Sequence, residues 1–222
     1  MAVAHERLLR DVADLTDDDV RGPSRLPGWS VGHVLAHLAR NADGFTRMVL
    51  AAAEGTIERQ YPGGVAQRAQ DIEAGAGRPA SVHVADIERS MVDLTAAFAG
   101  LDDAAWRRGV GIVTVGERRI ADMPFRRWRE VEVHHADLGR ESFTFADWST
   151  PYVEREMLET LGSLADRLHT GTALRIEFVD HPEVVSIGDG ESASVRGTRR
   201  EVLAWLIGRD HRPDLPELAP WS

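Results

Sequence analysis

The chain has 222 residues, of which 43% are hydrophobic and 28% are charged, proportions that are ordinary for a globular protein. Its 26 Lys and Arg residues against 36 Asp and Glu residues give a formal net charge of −10, which argues against nucleic acid and against an anionic membrane surface as partners. The absence of cysteine excludes disulfides, thiolate metal ligands and a cysteine nucleophile.

The length is sufficient for two small domains. The first residues, MAVAHERLLRDV, lack the apolar stretch of a signal peptide. No apolar run approaches the ~20 residues that a membrane-spanning helix needs. We therefore expect a cytoplasmic protein. Small molecules are its expected partners, and its oligomeric state is left open, with a monomer as one alternative.

The first two-thirds of the sequence has the apolar spacing of helices. A short amphipathic helix is predicted from His5 to about Leu15. A longer helix is predicted to begin after Ser30, a good N-cap residue, and to end near Gly55, because apolar residues recur at helical spacing from Val31 onward.

Two further helices complete this part of the chain. They are predicted over 79–100 and 124–138, and Gly139 is a suitable residue to end the second of them. The segment YPGG at 61–64 is predicted to be a loop, and residues 109–120 form either a small strand pair or an extended loop. Four helices joined in this way predict a helical bundle.

The pattern changes near residue 148. Thr150 and Pro151 are typical of a helix N-cap and first helical residue, and this helix is predicted to continue to Leu168. The segments ALRIEFVD, EVVSIGDG and ESASVRG have strand character, and a final helix is predicted over 198–207.

The order of these elements predicts the fold class. A helix, three strands and a second helix are expected to form an α/β domain. The sequence therefore predicts an α+β protein with a four-helix bundle over 1–147 and a smaller C-terminal α/β domain over 148–222.

Two pairs of metal-binding residue types are each spaced by one helical turn. His33 and His37 lie on the second helix, and Glu130 and His134 lie on the fourth. Facing helices of a bundle can bring such pairs into one cavity, where imidazole and carboxylate groups suit zinc and similar divalent ions. The alternative for each pair is a solvated histidine or a surface hydrogen bond.

The other notable residues are predicted to have structural roles. His135 points about 100° away from His134 at helical pitch, and Trp29 is interpreted as a packing anchor. The remaining histidines are predicted to lie at the surface or in loops: His5, His83, His169, His181 and His211.

Four segments, in this order, resemble the mycothiol-dependent maleylpyruvate isomerase family of the DinB-like metalloenzymes. They are LPGWSVGHVLAHLARNADGF, YPGG, RRWREVEVHHADLG and AWLIGRD. The resemblance implies a DinB-like four-helix bundle with a smaller C-terminal α/β domain. It also implies a divalent metal, usually zinc, held by His37 rather than His33 together with Glu130 and His134, and a role in activity for Arg209.

The same resemblance implies isomerisation of maleylpyruvate to fumarylpyruvate in gentisate breakdown, with mycothiol as thiol cosubstrate. The lack of cysteine is in keeping with a thiol that arrives as a small molecule. Two alternatives remain open: a mycothiol S-transferase that acts on another electrophile, and a non-catalytic metal-binding or ligand-binding module. For Arg209, the alternative is a cap at the end of the last helix.

Overall fold

The computed structural model describes residues 1–221 and contains two compact units, Met1–Phe143 and Thr144–Ser222. The predicted domain bounds, 1–147 and 148–222, stay a prediction. None of the helices within residues 1–221 is both long and apolar enough to cross a lipid bilayer.

The N-terminal unit consists mainly of helices, with one small sheet. Its elements are α1 (Ala2–Val12), α2 (Asp17–Arg21), α3 (Val31–Ala53), α4 (Gly64–Ala76), α5 (Ala80–Ala99), α6 (Asp103–Arg108), β1 (Val110–Val113), β2 (Gly116–Arg119) and α7 (Met123–Asp137).

Helices α1, α3, α5 and α7 form the predicted four-helix bundle. Each contributes fully buried apolar residues to one cluster, and examples from the four helices are Leu8, Leu35, Ile87 and Val131. Such residues recur every three or four positions, so that one face of each helix is removed from water. Gly139, with φ 79°, follows the end of α7 as predicted.

The first predicted helix had the wrong bounds, because the chain forms two helices there. Helix α1 ends at Val12, and Thr16 begins α2 as its N-cap. The side chain of Thr16 accepts a hydrogen bond from the Asp19 amide, and the Asp19 carboxylate accepts one from the Thr16 amide. This reciprocal cap satisfies backbone groups that a continuous helix would have paired internally.

Helices α4 and α6 are absent from the predictions made from the sequence. The buried residues of α4 are Ile72, Gly75 and Ala76, which give too weak an apolar pattern to indicate a helix. Helix α4 nevertheless packs closely on α3, because Gly32 has no side chain where a Cβ atom would overlap the Ala76 carbonyl oxygen. For residues 109–120, the structure has the strand pair rather than the loop: β1 and β2 pair in antiparallel fashion.

The C-terminal unit contains the predicted helix, three strands and helix. Its main elements are α8 (Thr150–Gly162), β3 (Thr172–Phe178), β4 (Val184–Gly188), β5 (Glu191–Gly197) and α9 (Arg199–Leu206). The strand order is β4-β3-β5, in which β3 pairs with β4 antiparallel and with β5 parallel. The predicted α+β fold class is confirmed.

The bounds of α8 differ from those predicted. Ser149, rather than Thr150, is its N-cap, and the helix ends at Gly162 instead of continuing to Leu168. Glycine is a weak helix former, and the next residue, Ser163, donates its amide to the Thr160 carbonyl in a tighter turn.

Two histidines that were predicted to lie at the surface or in loops are instead buried and belong to helices, so the prediction was wrong for them. His83 is buried on α5, with Nε2 3.4 Å from the Ala76 carbonyl oxygen. His5 is buried on α1, where its Nε2 accepts a hydrogen bond from Nε of the fully buried Arg127 at 3.2 Å. The Arg127 guanidinium also donates to the Leu38 carbonyl at 2.8 Å. A buried cation of this kind needs such acceptors, which explains why a histidine is found here.

The burial of His5 predicts a pH dependence of stability. Burial is the largest cause that lowers the pKa of His5 from 6.5 to about 3. Between these values the unfolded chain binds a proton that the folded chain does not, so the free energy of unfolding falls as the pH decreases below about 6.5. The contribution of this residue is up to roughly 1.4 kcal/mol per pH unit.

Urea unfolding of wild type and His5→Gln at pH 7 and pH 5 measures this effect. Glutamine keeps an acceptor for Arg127 but does not titrate, so the variant should lose less stability between the two pH values. The matched control is His169→Gln at an exposed position, which should behave like wild type. An equal loss in wild type and His5→Gln would contradict the prediction.

Candidate metal centre

Helices α3 and α7 bring His37, Glu130 and His134 together. Nε2 of His37 lies 2.9 Å from Oε2 of Glu130, and Nε2 of His134 lies 3.5 Å from the same oxygen. The two imidazole rings are nearly perpendicular, with centroids 4.6 Å apart. One potential ligand atom from each residue lies within 4.8 Å of the other two, so a single ion between them could contact all three.

His33 is outside this group, although it lies one turn from His37 on the same helix. Its ring serves the beginning of α3 instead: Nδ1 accepts a hydrogen bond from the Ser30 amide at 3.1 Å, while the Ser30 hydroxyl accepts one from the His33 amide. The other ring nitrogen, Nε2, faces Glu73 at 3.2 Å. His33 thus takes the position that Glu or Gln usually has in a capping box.

The electrostatics of the group favour, for His37 and Glu130, the protonation states that a metal requires. Burial is the main cause that lowers the pKa of His37 to about 4, so its ring is neutral at neutral pH. Burial acts to raise the pKa of Glu130, but hydrogen bonds from His134 and His37 outweigh it and hold this pKa well below its usual range. A neutral imidazole and an ionised carboxylate are the forms that bind metal ions.

Asp137 orients His134 and was missed in the sequence analysis. Its carboxylate, which is 2% exposed, lies 2.8 Å from Nδ1 of His134. Burial acts to lower the pKa of His134, whereas the hydrogen bonds to Asp137 and Glu130 raise it. A proton on Nδ1 leaves Nε2 directed toward the group, as in many metal sites in which a carboxylate supports a histidine ligand. The available signal was the spacing of three residues on one helix face.

Two more side chains lie beside His37. The ring of Trp29 makes an edge contact with that of His37, at a centroid distance of 5.8 Å, and it also packs against the bundle core. The prediction of a packing role for Trp29 is thus confirmed, but it was incomplete. On α4, Nη2 of Arg68 lies 3.3 Å from Nδ1 of His37, a contact that the sequence analysis did not anticipate.

His135 has the structural surroundings that its direction on the helix suggested. Its Nε2 lies 2.9 Å from the Asp11 carboxylate, and its ring stacks on Phe143 with centroids 3.8 Å apart.

Arg209 belongs to the C-terminal unit, just after α9. Its Nη1 donates to the Ile207 carbonyl at 3.1 Å, a contact of the kind that the helix-cap alternative predicts. It also lines an open surface pocket of about 610 Å³ in that unit. The role of Arg209 in activity stays a prediction.

The donor set fits a divalent metal. Two imidazole nitrogens and one carboxylate oxygen match the preferences of zinc, and three protein ligands leave one position of a tetrahedral ion open. Among residues 1–221, only this group of three or more His, Cys, Asp and Glu side chains is close enough together to hold an ion. The identity of the metal stays a prediction.

Comparison with known proteins agrees with this architecture. The sequence profile of the mycothiol maleylpyruvate isomerase N-terminal domain matches residues 1–139. The crystal structure of the mycothiol-dependent maleylpyruvate isomerase is similar over 99% of this chain and 93% of that chain, with a TM-score of 0.88 and 20% sequence identity. The crystal structure of a mutant of that enzyme, in which a histidine is replaced by alanine, matches with a TM-score of 0.87 at the same sequence identity and coverage. No curated protein matches in sequence.

The geometry predicts which histidines a metal requires. Protein purified without added metal should contain one divalent ion per chain, measured by elemental analysis, and zinc is the expected ion. His134→Ala and His37→Ala should each lose most of this metal, because each removes one of three ligands. The circular dichroism signal of the helices should be retained.

His33→Ala is the matched control, one turn from His37 on the same helix. It should keep the metal, because the His33 ring caps α3 instead of facing the group. Loss of metal from His33→Ala with full occupancy in His37→Ala would move the site by one turn and refute the assignment.

Proposed function

The chain belongs to the mycothiol maleylpyruvate isomerase family, and from this premise we propose that it catalyses the metal- and mycothiol-dependent isomerisation of maleylpyruvate to fumarylpyruvate. The observation that carries the proposal is the group formed by His37, Glu130 and His134. Three protein ligands with one open position are typical of catalytic zinc sites, whereas structural sites are closed by four. This difference favours catalysis over a non-catalytic binding module.

The thiol has to come from outside the chain, because the sequence contains no cysteine. The nucleophile is a thiolate, and a free cysteine thiol has a pKa of about 8.5. A divalent ion held by the three ligands would supply the positive charge that favours the thiolate at neutral pH.

The proposed reaction removes and then restores the double bond. The thiolate sulfur adds to one carbon of the cis double bond of maleylpyruvate, and the electron pair of that bond moves to the conjugated carbonyl oxygen. The bond that remains between the two carbons is single and rotates. Return of the electron pair expels the thiolate and gives the trans product, so the thiol is regenerated.

The residues of this chain have separate parts in the proposal. His37, Glu130 and His134 would hold the metal, and Asp137 keeps a proton on Nδ1 of His134. The enolate that forms after addition carries negative charge, which a fixed cation stabilises. We propose Arg209 for this role or for a substrate carboxylate, since its planar guanidinium can donate two parallel hydrogen bonds.

An assay of the purified protein with maleylpyruvate, with and without mycothiol, tests the activity. We expect fumarylpyruvate to form only when the thiol is present. Isomerisation at full rate without any thiol would refute the thiolate mechanism. Conjugation of mycothiol to other electrophiles, without isomerisation of maleylpyruvate, would favour the S-transferase instead.

Kinetics and a melting curve of Arg209→Ala separate the two roles of this residue. If Arg209 binds the substrate, the variant should keep its metal and its melting temperature. Its kcat/KM should fall about ten- to a hundred-fold, as expected for one charge-assisted hydrogen bond of roughly 1.5–3 kcal/mol. Arg209→Lys should recover only part of the activity, because an ammonium group lacks the planar fork.

The helix-cap role predicts the reverse, a lower melting temperature with nearly normal turnover, and this result would refute the catalytic role. Arg212→Ala is the matched control in the same pocket, since the Arg212 guanidinium is paired with Asp210 at 2.9 Å. It should retain turnover.

A further inference from the structure

We propose that Arg68 forms a binding subsite for a carboxylate beside the metal, and that metal binding to His37 makes Arg68 available for it. The inference rests on the proposed metal site and extends it to a residue of α4. The source of the carboxylate in the proposed reaction is the substrate.

The first step of the argument is the position of the proton on His37. Its Nε2 faces the Glu130 carboxylate at 2.9 Å, and its Nδ1 faces the Arg68 guanidinium at 3.3 Å. An ionised carboxylate only accepts hydrogen bonds and a guanidinium only donates them. The neutral ring therefore carries its proton on Nε2 and accepts from Arg68 through Nδ1.

A metal ion bound to Nε2 would reverse this arrangement. A neutral imidazole that binds metal through Nε2 has its proton on Nδ1, where it becomes a donor. Arg68 is also a donor, so the two groups can no longer form a hydrogen bond. Metal binding to His37 thus removes an acceptor from Arg68 and leaves its charge to be compensated by another group.

In the part of the chain that the structure describes, Arg68 has no carboxylate in salt-bridge contact. None of the Asp and Glu side chains within residues 1–221 forms an ion pair with it. Nearby arginines of α3, α5 and the loop before α5 differ in this respect, since Arg40, Arg78 and Arg89 all pair with Asp86. A half-buried guanidinium that lacks a salt bridge and lies next to the proposed metal ligand His37 is a suitable partner for a carboxylate.

Two aromatic side chains lie beside Arg68. The centre of its guanidinium lies 6.0 Å from the centroid of the Trp29 ring, within the range of a cation–π contact. The buried Tyr61 hydroxyl is close enough to Arg68 to interact with it, and burial raises the pKa of Tyr61 to about 12. A neutral phenol can accept from a guanidinium, but it does not neutralise the charge.

The packing of α4 on α3 fixes the base of this side chain. Small residues at the contact allow the two helices to approach closely, because a Cβ atom on Gly75 would lie 3.0 Å from the Cβ of Ala36. Ala36 directly precedes His37, so Arg68 and the metal ligand are held by one tightly packed pair of helices. A subsite with this support needs little reorganisation when an anion binds.

A pair of small thiols tests the proposal without any measurement of turnover. The protein is loaded with Co²⁺, and the thiolate-to-cobalt absorption band reports the binding of 3-mercaptopropionate or 2-mercaptoethanol. The two probes have similar length and the same sulfur donor, but only the first carries a carboxylate. We expect wild type to bind 3-mercaptopropionate more tightly than 2-mercaptoethanol.

Arg68→Gln should remove this preference. Its affinity for 3-mercaptopropionate should fall about ten- to a hundred-fold relative to its affinity for 2-mercaptoethanol. Arg68→Lys should recover part of the preference, because it keeps the charge but not the planar fork. The control is Arg10→Gln on α1, an exposed arginine that should leave both affinities unchanged.

The outcomes distinguish the two levels of the proposal. If wild type fails to take up one Co²⁺ per chain, the metal site is wrong and the subsite with it. If wild type binds Co²⁺ and both thiols, but Arg68→Gln keeps the preference for 3-mercaptopropionate, the metal site stands and the role of Arg68 is refuted. Circular dichroism of each variant excludes misfolding as the cause of a lost preference.

Discussion

A carboxylate removed from most of the solvent is the constraint on which this site depends. The side chain of Glu130 is 26% exposed, and its Oε2 faces Nε2 of both His37 and His134. Withdrawal of a carboxylate from water is costly unless it gains hydrogen bonds or an opposite charge. Because α3 supplies one histidine and α7 supplies the other two residues, this requirement is met only when the two helices are correctly packed and in register.

The rest of the bundle supplies that register. The apolar cluster shared by α1, α3, α5 and α7 fixes how the helices face each other, and the buried Arg127 connects α7 to α1 and α3 through His5 and Leu38. Arg127 lies one turn before Glu130 on α7. A shift of this helix would therefore disturb the buried cation and the carboxylate together. The buried polar contacts thus form only when the apolar cluster is packed in the correct register.

The parts of the structure that follow from periodicity were predictable, and those that depend on single contacts were not. Long helices with many apolar residues have a recognisable apolar periodicity in the sequence. Helix α4 buries mainly Ile72 and small residues and has no comparable pattern. Spacing alone does not separate His33 from His37, since both lie on the same helix face. The capping role of His33 decides between them, and it depends on a hydrogen bond with Ser30 that becomes visible only in three dimensions. For the same reason the sequence gives no sign that Arg68 lies beside His37.

The side chains around the candidate site form a chain of alternating donors and acceptors, from Asp137 through His134, Glu130 and His37 to Arg68. Its two ends differ in kind, since an aspartate only accepts and an arginine only donates. The Asp137 end holds a proton on Nδ1 of His134, so the proton that a metal would displace from this ring is the one on Nε2. The Arg68 end favours the opposite tautomer of His37. His134 would therefore bind a metal by losing only its Nε2 proton, whereas the ring of His37 would also have to take up a proton on Nδ1. This asymmetry would link a metal bound by α3 to an arginine on α4.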